Sequence, residues 1–392
     1  MTGLIVQDTA TYFTPFGQAI ILILFQLGGL GIMTFSTLIL LVAGKKISIK
    51  DRIIIQQGFH PAAPKDVKTL IKNIFLYALS LEVAGTLFLF LRWQKEFPWI
   101  KALSHSVFHS ISAFCNAGFS LFSRSFISYR NDTWINITFF LLIILGGVGF
   151  LVLQDVREVF SGVVRRRKIQ FSLHTKLVLT LTAVLIVFSF IFFLLMEWNH
   201  SLKMFTLKEK IFSSIFQVIT PRTAGFNTMD LNSLSFSAVF LLIMLMFIGA
   251  SPGSTGGGVK TSTIGVILAF LKSKIAARDS VNLFYRTLPL ESVMKAFTVV
   301  TLAICIIFLS SFILLFTQPM ASMREVLFEV FSAFSTVGLS LGITSKLSSV
   351  GKIVIILTMY IGRIGPLTLL YAFSRQKAFG RFEYVEETVM IG

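Results

Sequence analysis

Long apolar runs, interrupted by short polar segments rich in lysine and arginine, dominate this chain. The clearest are Ile20–Val42, Ile135–Leu153, Leu177–Met196, Phe236–Gly249, Ala296–Phe316 and Ile353–Phe373. Most approach the roughly 20 helical residues that a hydrocarbon core requires. Between them lie shorter, moderately apolar stretches at Ser104–Phe114, Lys208–Ile219 and Arg324–Phe334. These are too short to span and predict half-helices that enter and return on the same side. Longer outer helices are predicted to start near Val67, Leu173 and Glu291.

Each short stretch leads into a small-residue-then-glycine segment. These are Asn116-Ala117-Gly118-Phe119, Thr223-Ala224-Gly225-Phe226 and Thr336-Val337-Gly338-Leu339, and Thr2-Gly3-Leu4 has the same form. The four glycines are 115, 107 and 113 residues apart. A second glycine cluster follows 24 to 28 residues later: Gly28-Gly29-Leu30-Gly31, Gly146-Gly147-Val148-Gly149, Gly249-Ala250 and Gly362-Arg363-Ile364-Gly365. Two landmarks in constant order predict four repeats of outer helix, pore helix, glycine loop and inner helix, an all-α integral membrane fold around one pore. The predicted divisions are 1–66, 67–172, 173–290 with a loop at 249–261, 291–378, and a cytoplasmic tail at 379–392. The first unit begins at its glycine loop. By analogy with the others it is expected to lack about 50 residues carrying an outer helix and a pore helix, as in a truncated reading frame.

Composition and charge sharpen this picture. The chain has 392 residues, of which 14% are charged, and a mean hydropathy of +0.82, which excludes a water-soluble fold. The net charge of +17 is spread over alternate loops, at Lys45–Lys72, Arg157–Lys176 and Lys272–Lys295, and after the last span at Arg375, Lys377 and Arg381. That distribution places these segments in the cytoplasm and the glycine loops on the external side. No basic stripe with interleaved aromatics points to nucleic acid. Cys115 and Cys305 are too few and too far apart for a disulfide framework or a metal site. The start has no basic segment or cleavage site, so no signal peptide is predicted. The 18 acidic residues and five histidines form no catalytic constellation, and no site for ATP appears, so an enzyme is not predicted.

The glycine loops suit ion coordination. A cation stripped of water needs carbonyl oxygens aimed at it, and the strand that supplies them needs unusual backbone angles. The competing reading, that these glycines only pack helices, must explain their near-constant spacing in all four segments. Packing is the expected role of Gly28, Gly29, Gly31, Gly146, Gly147 and Gly149. The third inner span is broken by Pro252 and five glycines between Gly249 and Thr261. Gly253 to Lys260-Thr261 approximates a phosphate loop, but Val259 spoils the spacing and no soluble strand precedes it. A flexible constriction is the better reading, with Gly253, Gly256, Gly257, Gly258 and Lys260 as its gate residues. Lys260 either meets the loop carbonyls or points to the cytoplasm. Arg363 is expected in the pore beside this loop as a barrier to cations, against the alternative of an arginine snorkelling to the interface. Arg222 either supports the third glycine loop through its carbonyls or stands exposed in an external vestibule.

The four glycine segments and the broken third inner span resemble those of the Trk/Ktr/HKT potassium transporter superfamily, most closely its Ktr-type membrane subunits. The resemblance implies an ion filter at Thr2, Gly3, Asn116, Ala117, Gly118, Thr223, Ala224, Gly225, Thr336, Val337 and Gly338. Potassium at the filter carbonyls is the implied cargo, and glycine at all four positions is the pattern associated with potassium preference. It further implies a plasma-membrane location in a bacterium (the inner membrane), a homodimer, sodium stimulation as in many members, and a cytoplasmic ring of RCK-type regulatory subunits that carries the nucleotide. No covalent cofactor is implied. The basic loops at Lys45–Arg52, Arg165–Lys168 and Lys272–Arg286 are candidate contacts with that ring or with anionic lipid, and Phe379–Gly392 resembles the segment at the dimer and ring contacts. An alternating-access transporter of a small solute is the alternative function, although such proteins usually show two related halves.

Overall fold

The computed structural model describes residues 2–31, 67–166, 170–365 and 387, with residues 67–70 known only in their backbone. The expected contacts at Lys45–Arg52, part of Arg165–Lys168 and nearly all of the tail at 379–392 lie outside the described residues. The described residues are mostly helical. A first helix α1 (Pro15–Leu30) is followed by α2 (Val67–Trp93), α3 (Trp99–Phe114), α4 (Thr133–Val148) and α5 (Phe150–Val164). Next come α6 (Leu173–Glu197), α7 (Leu207–Ile219), α8 (Phe236–Phe247) and α9 (Thr261–Ile275). A hairpin of β1 (Val281–Leu283) and β2 (Arg286–Leu288) leads to α10 (Leu290–Thr317), α11 (Met323–Phe334) and α12 (Ser349–Ile364).

Three helices, α2 from Ile71, α6 and α10, are long and apolar enough to cross a membrane, and the bent pair α4–α5 makes a fourth candidate. They turn large apolar side chains outward, among them Val187, Phe188, Leu195, Phe308, Phe312 and Phe316. In water such faces would be strongly unfavourable, and in hydrocarbon they are solvated. Three times a long helix is followed by a short one, a loop and a further helix, as the apolar pattern predicts. The start of α6 coincides with the expected Leu173, and α10 starts one residue before Glu291. The first short helix, α3, begins at Trp99, five residues before the expected Ser104.

Local chemistry accounts for where these helices begin. Thr14, Asp132, Ser172, Ser235 and Ser348 each cap a helix by accepting a backbone N–H in its first turn. Thr206 with Glu209, and Ser322 with Glu325, form reciprocal capping boxes at the starts of α7 and α11. The ends follow a second rule. Gly31, Gly149 and Gly365 terminate α1, α4 and α12 with φ of 87°, 94° and 96°. At Gly149 the chain turns through 101° between α4 and α5.

That turn corrects one expectation and extends another. The apolar run Ile135–Leu153 is not one straight span, and Gly149 breaks the helix as well as packing closely, since a Cβ there would lie 2.6 Å from the carbonyl oxygen of Pro252. Gly146 does pack closely, since a Cβ there would collide with the carbonyl of Phe114.

The core gathers around the short helices. Trp93 is fully buried and meets His105, His109, Phe122 and Phe126 in one aromatic cluster that joins α2 and α3 to the segment after Gly118. Phe139, Phe216 and Phe226 continue the packing toward α7.

Candidate functional site: a ring of glycine loops and the loop beneath it

The C-terminal ends of α3, α7 and α11 point at one place, where three glycine segments meet the segment at Thr2-Gly3. The contacts close a ring in chain order. A Cβ on Gly3 would lie 2.8 Å from the carbonyl oxygen of Ala117, and one on Gly118 would lie 3.1 Å from that of Ala224. A Cβ on Gly225 would strike the carbonyl of Val337, and one on Gly338 would strike that of Thr2. Each glycine thus faces the carbonyl of the residue preceding the next glycine. All four have positive φ, from 73° to 96°, a region costly for any L side chain.

The positive angles do not stop at the glycines. Asn116, Thr223 and Thr336, each two residues before its glycine, also have positive φ, of 50°, 78° and 54°. Left-handed and ordinary residues therefore alternate along these three strands. In an extended chain successive carbonyls point to opposite sides, whereas this alternation brings them round to the same side. A non-glycine residue held at positive φ costs of order 1–3 kcal/mol and persists only where its surroundings enforce it. Here the enforcement is burial. Asn116, Ala117, Thr223, Ala224, Thr336 and Val337 are all buried, while the four glycines stay partly exposed to the central space. A cavity of about 250 Å³ opens above the ring, with Asp8, Ser120, Asn227, Asp230 and Ser340 among its walls.

On the other side of the ring lies the break in the third inner helix, residues 248–260. It is a built loop. Ile248 pairs with Val259 as a short parallel bridge, Gly249 N donates to Val259 O at 2.9 Å, and Ala250 N donates to Gly257 O at 3.3 Å. Gly253 and Gly258 supply positive φ of 67° and 72°. The loop fits against the ring from below: a Cβ on Gly256 would collide with Thr223, and one on Gly257 would lie 2.5 Å from the Thr336 hydroxyl.

The helix breaks and the loop satisfy one another. Breaking the ladder at Gly149 strips the carbonyls of Gly146 and Gly147 of their helical donors. Thr255 N donates to Gly146 O at 3.2 Å, Ser251 N donates to Gly147 O at 3.0 Å, and Phe150 N donates back to Gly253 O at 2.9 Å. The Thr255 hydroxyl lies 3.1 Å from the carbonyl oxygens of both Phe114 and Gly146, and it accepts from Asn116 Nδ2 at 3.0 Å. Thr255 therefore links the loop, the second glycine strand and the end of α3. Sequence reasoning missed it, because one threonine among glycines and serines carries no distinguishing mark.

Arg363 stands beside the loop, as expected, and its bonds define it further. It donates through Nη1 to Thr255 O, and through Nη2 to Gly28 O at 2.6 Å and Gly29 O at 3.3 Å. The last two are end-of-helix carbonyls of α1, so one guanidinium ties the loop to two inner helices. An arginine at mid-span costs about 2.5–3.5 kcal/mol on insertion scales, and these acceptors offset that cost. Lys260 Nζ donates to Gly256 O at 2.8 Å, which resolves its two readings in favour of the loop carbonyls. Arg222 meets neither of its readings. It is only 5% exposed, and its Nη2 donates to the Thr182 hydroxyl on α6 at 3.1 Å, so it braces the third loop from behind. The buried Glu82 and Cys115, with the half-buried Gln26, back the second strand. Gln26 donates to Glu82 at 3.0 Å and Cys115 Sγ donates to Gln26 at 3.2 Å.

Helices with outward apolar faces, short helices aimed at a glycine ring and a loop seated beneath it define an integral membrane protein of the transporter class. Comparison with known proteins makes the assignment specific. The family described as TrkH, cation transport protein, matches residues 1–381. The chain belongs to this family, whose members are transporters and not enzymes. It is 40% identical to the Ktr system potassium uptake protein B of Bacillus subtilis over 96% of this chain and 83% of that one. It is 36% identical to the potassium/sodium uptake protein NtpJ of Enterococcus hirae over all of this chain and 87% of that one. Its fold is similar to the crystal structure of the potassium transporter TrkH from Vibrio parahaemolyticus, with a TM-score of 0.71 at 20% identity, covering 95% of this chain and 75% of that one.

Proposed function

We propose that the protein takes up potassium ions across the plasma membrane through the glycine ring, and that the loop at 249–261 gates the path below it. The observation that carries this reading is the closed circuit from Gly3 through Gly118, Gly225 and Gly338 back to Gly3, each glycine against the next strand's carbonyl. Carbonyls of Thr2, Ala117, Ala224 and Val337, with those of Asn116, Thr223, Thr336 and the glycines, replace the water that potassium sheds on entry. The short helices help. Each peptide stack carries roughly half a negative charge at its C-terminal end, and α3, α7 and α11 aim that end at the ring. Asp8 and Asp230 in the outer cavity attract cations to its mouth.

The four strands belong to four repeats, of which 1–66 contributes a glycine loop and an inner helix. Gly253, Gly256, Gly257 and Gly258 let the gate lie flat under Thr223 and Thr336, Lys260 closes it on itself, and Arg363 places a positive charge on the cation path. Basic loops on the cytoplasmic side receive an RCK-type nucleotide-binding ring, which moves the gate, and the protein works as a homodimer. The potassium and potassium/sodium uptake named for the relatives supports a potassium cargo with sodium as a coupled or stimulating ion.

The test is growth of a bacterial strain devoid of potassium uptake systems at limiting potassium. Expression of the protein with a cytoplasmic RCK-type partner is expected to restore growth. No rescue by the expressed, membrane-inserted pair would count against potassium uptake.

A further inference from the structure

The three short helices carry a polar side chain at one shared position. Ser112, Thr220 and Ser332 are equivalent: the carbonyl of each accepts the N–H of the residue before the ring glycine, at 2.8, 2.9 and 2.8 Å. One residue fewer separates Thr220 from its glycine, so counting back from the glycines alone hides the match. One helical turn earlier stand His109, Gln217 and Glu329, all with no exposed surface. Burying such groups is costly unless they are hydrogen-bonded.

Two of them bond to the outer end of their own strand. His109 Nδ1 lies 2.8 Å from the carbonyl of His105, so that nitrogen carries the proton and Nε2 is the acceptor. Nε2 accepts from Leu121 N at 3.1 Å and from the Ser120 hydroxyl at 3.2 Å. Glu329 accepts from the Ser340 hydroxyl at 2.7 Å and from the Thr344 hydroxyl at 2.5 Å. Ser120 and Ser340 occupy the same place, two residues past Gly118 and Gly338. Each hydroxyl also accepts a backbone N–H two residues on, at 3.0 Å in both.

Gln217 differs. Neither of its amide atoms has a hydrogen-bond partner among the described residues. The third strand is pinned at the matching residue by its neighbour instead: Asn227 N donates to the Ser125 hydroxyl at 3.2 Å, and Phe126 N donates to Asn227 O at 2.9 Å.

From this we infer that His109 and Glu329 are positioning residues for ion selectivity. They hold the outer ends of the second and fourth strands at fixed width, through Ser120 and Ser340. The ring runs in chain order, so these two strands face each other across the path. A carbonyl ring that resists closing on the smaller ion favours potassium over sodium, and two opposed clamps oppose that closure. The inference rests on the filter reading above.

The experiment is potassium and sodium uptake by proteoliposomes carrying the whole chain with Glu329→Gln, Ser340→Ala, the two together, Ser120→Ala, or the filter variant Gly225→Ser. Glu329→Gln is expected to lower the potassium-to-sodium uptake ratio about tenfold, the scale of one lost buried hydrogen bond. Ser340→Ala should do nearly as much, and the double variant no more than either, because both remove one contact. Ser120→Ala should act in the same direction. If Glu329→Gln fails to fold, Ser340→Ala, which deletes one half-buried hydroxyl, decides the matter alone. An unchanged ratio in the folded serine variants, with Gly225→Ser losing selectivity, overturns the clamps and leaves the filter standing. An unchanged ratio in Gly225→Ser as well refutes the filter reading itself.

Discussion

Thr255 and Arg363 tie the loop to its neighbours, and their contributions differ in kind. The Thr255 hydroxyl bridges Asn116, Phe114 and Gly146, so removing it strands buried polar groups at about 1–3 kcal/mol in total. Arg363 adds three carbonyl contacts and a full positive charge. Thr255→Val, which keeps the shape, is expected to raise potassium flux measured without a cytoplasmic partner. Arg363→Ala should raise it further, since it removes both the tie and the charge. Flux in either variant no higher than in the parent protein would show that these bonds do not hold the path shut. At this scale the sequence is half legible. The glycines stand out because nothing else tolerates their φ so cheaply. The left-handed Asn116, Thr223 and Thr336 do not, because their angles are imposed by burial between strands that come together only in the fold.

Elements show a similar division. Helix starts are written in short, local codes, and the capping boxes at α7 and α11 are plain from Thr206 to Glu209 and from Ser322 to Glu325. Breaks inside apolar spans are not. Gly149 lies in an unbroken apolar run, and hydropathy cannot tell a packing glycine from one that turns the chain through 101°. The hairpin β1–β2 was equally hidden, because its turn puts Phe284 and Tyr285 at positive φ instead of the usual asparagine and glycine.

The capping boxes carry a prediction of their own. Glu209 is held below the ordinary carboxylate range, first by the backbone N–H of Thr206, then by its hydroxyl and by Arg130. A lowered pKa in the folded state means that the stabilisation is complete above the ordinary carboxylate pKa. It is lost as pH falls through the folded value. Thermal unfolding of Glu209→Gln should therefore lie below that of the parent at neutral pH, and the two should converge below about pH 4. A constant gap across that range would mean that the charge of Glu209 contributes nothing.

Across the whole molecule, three observations support one another. The outward apolar faces demand a bilayer, the bilayer forbids unpaired backbone, and the carbonyls freed at the ends of α1 and α4 find partners from other units. Gly146 and Gly147 receive the loop, Gly28 and Gly29 receive Arg363, and the four glycines receive one another's strands. Membrane class and the repeated helical order were readable from spacing and hydropathy, which are long-range averages. Cross-unit bonds were not, because they join residues far apart in sequence, as Asn116 and Thr255 or Gly28 and Arg363 show. The central claim is that the glycine ring selects potassium. Its most direct test is the ratio of potassium to sodium uptake by proteoliposomes holding the protein and a cytoplasmic partner, with and without Gly225→Ser. A Cβ at Gly225 would meet the carbonyl of Val337 inside the ring, so potassium preference in the parent should collapse toward equal uptake of both ions in the variant. A variant that still carries flux with the parent's preference would contradict the claim.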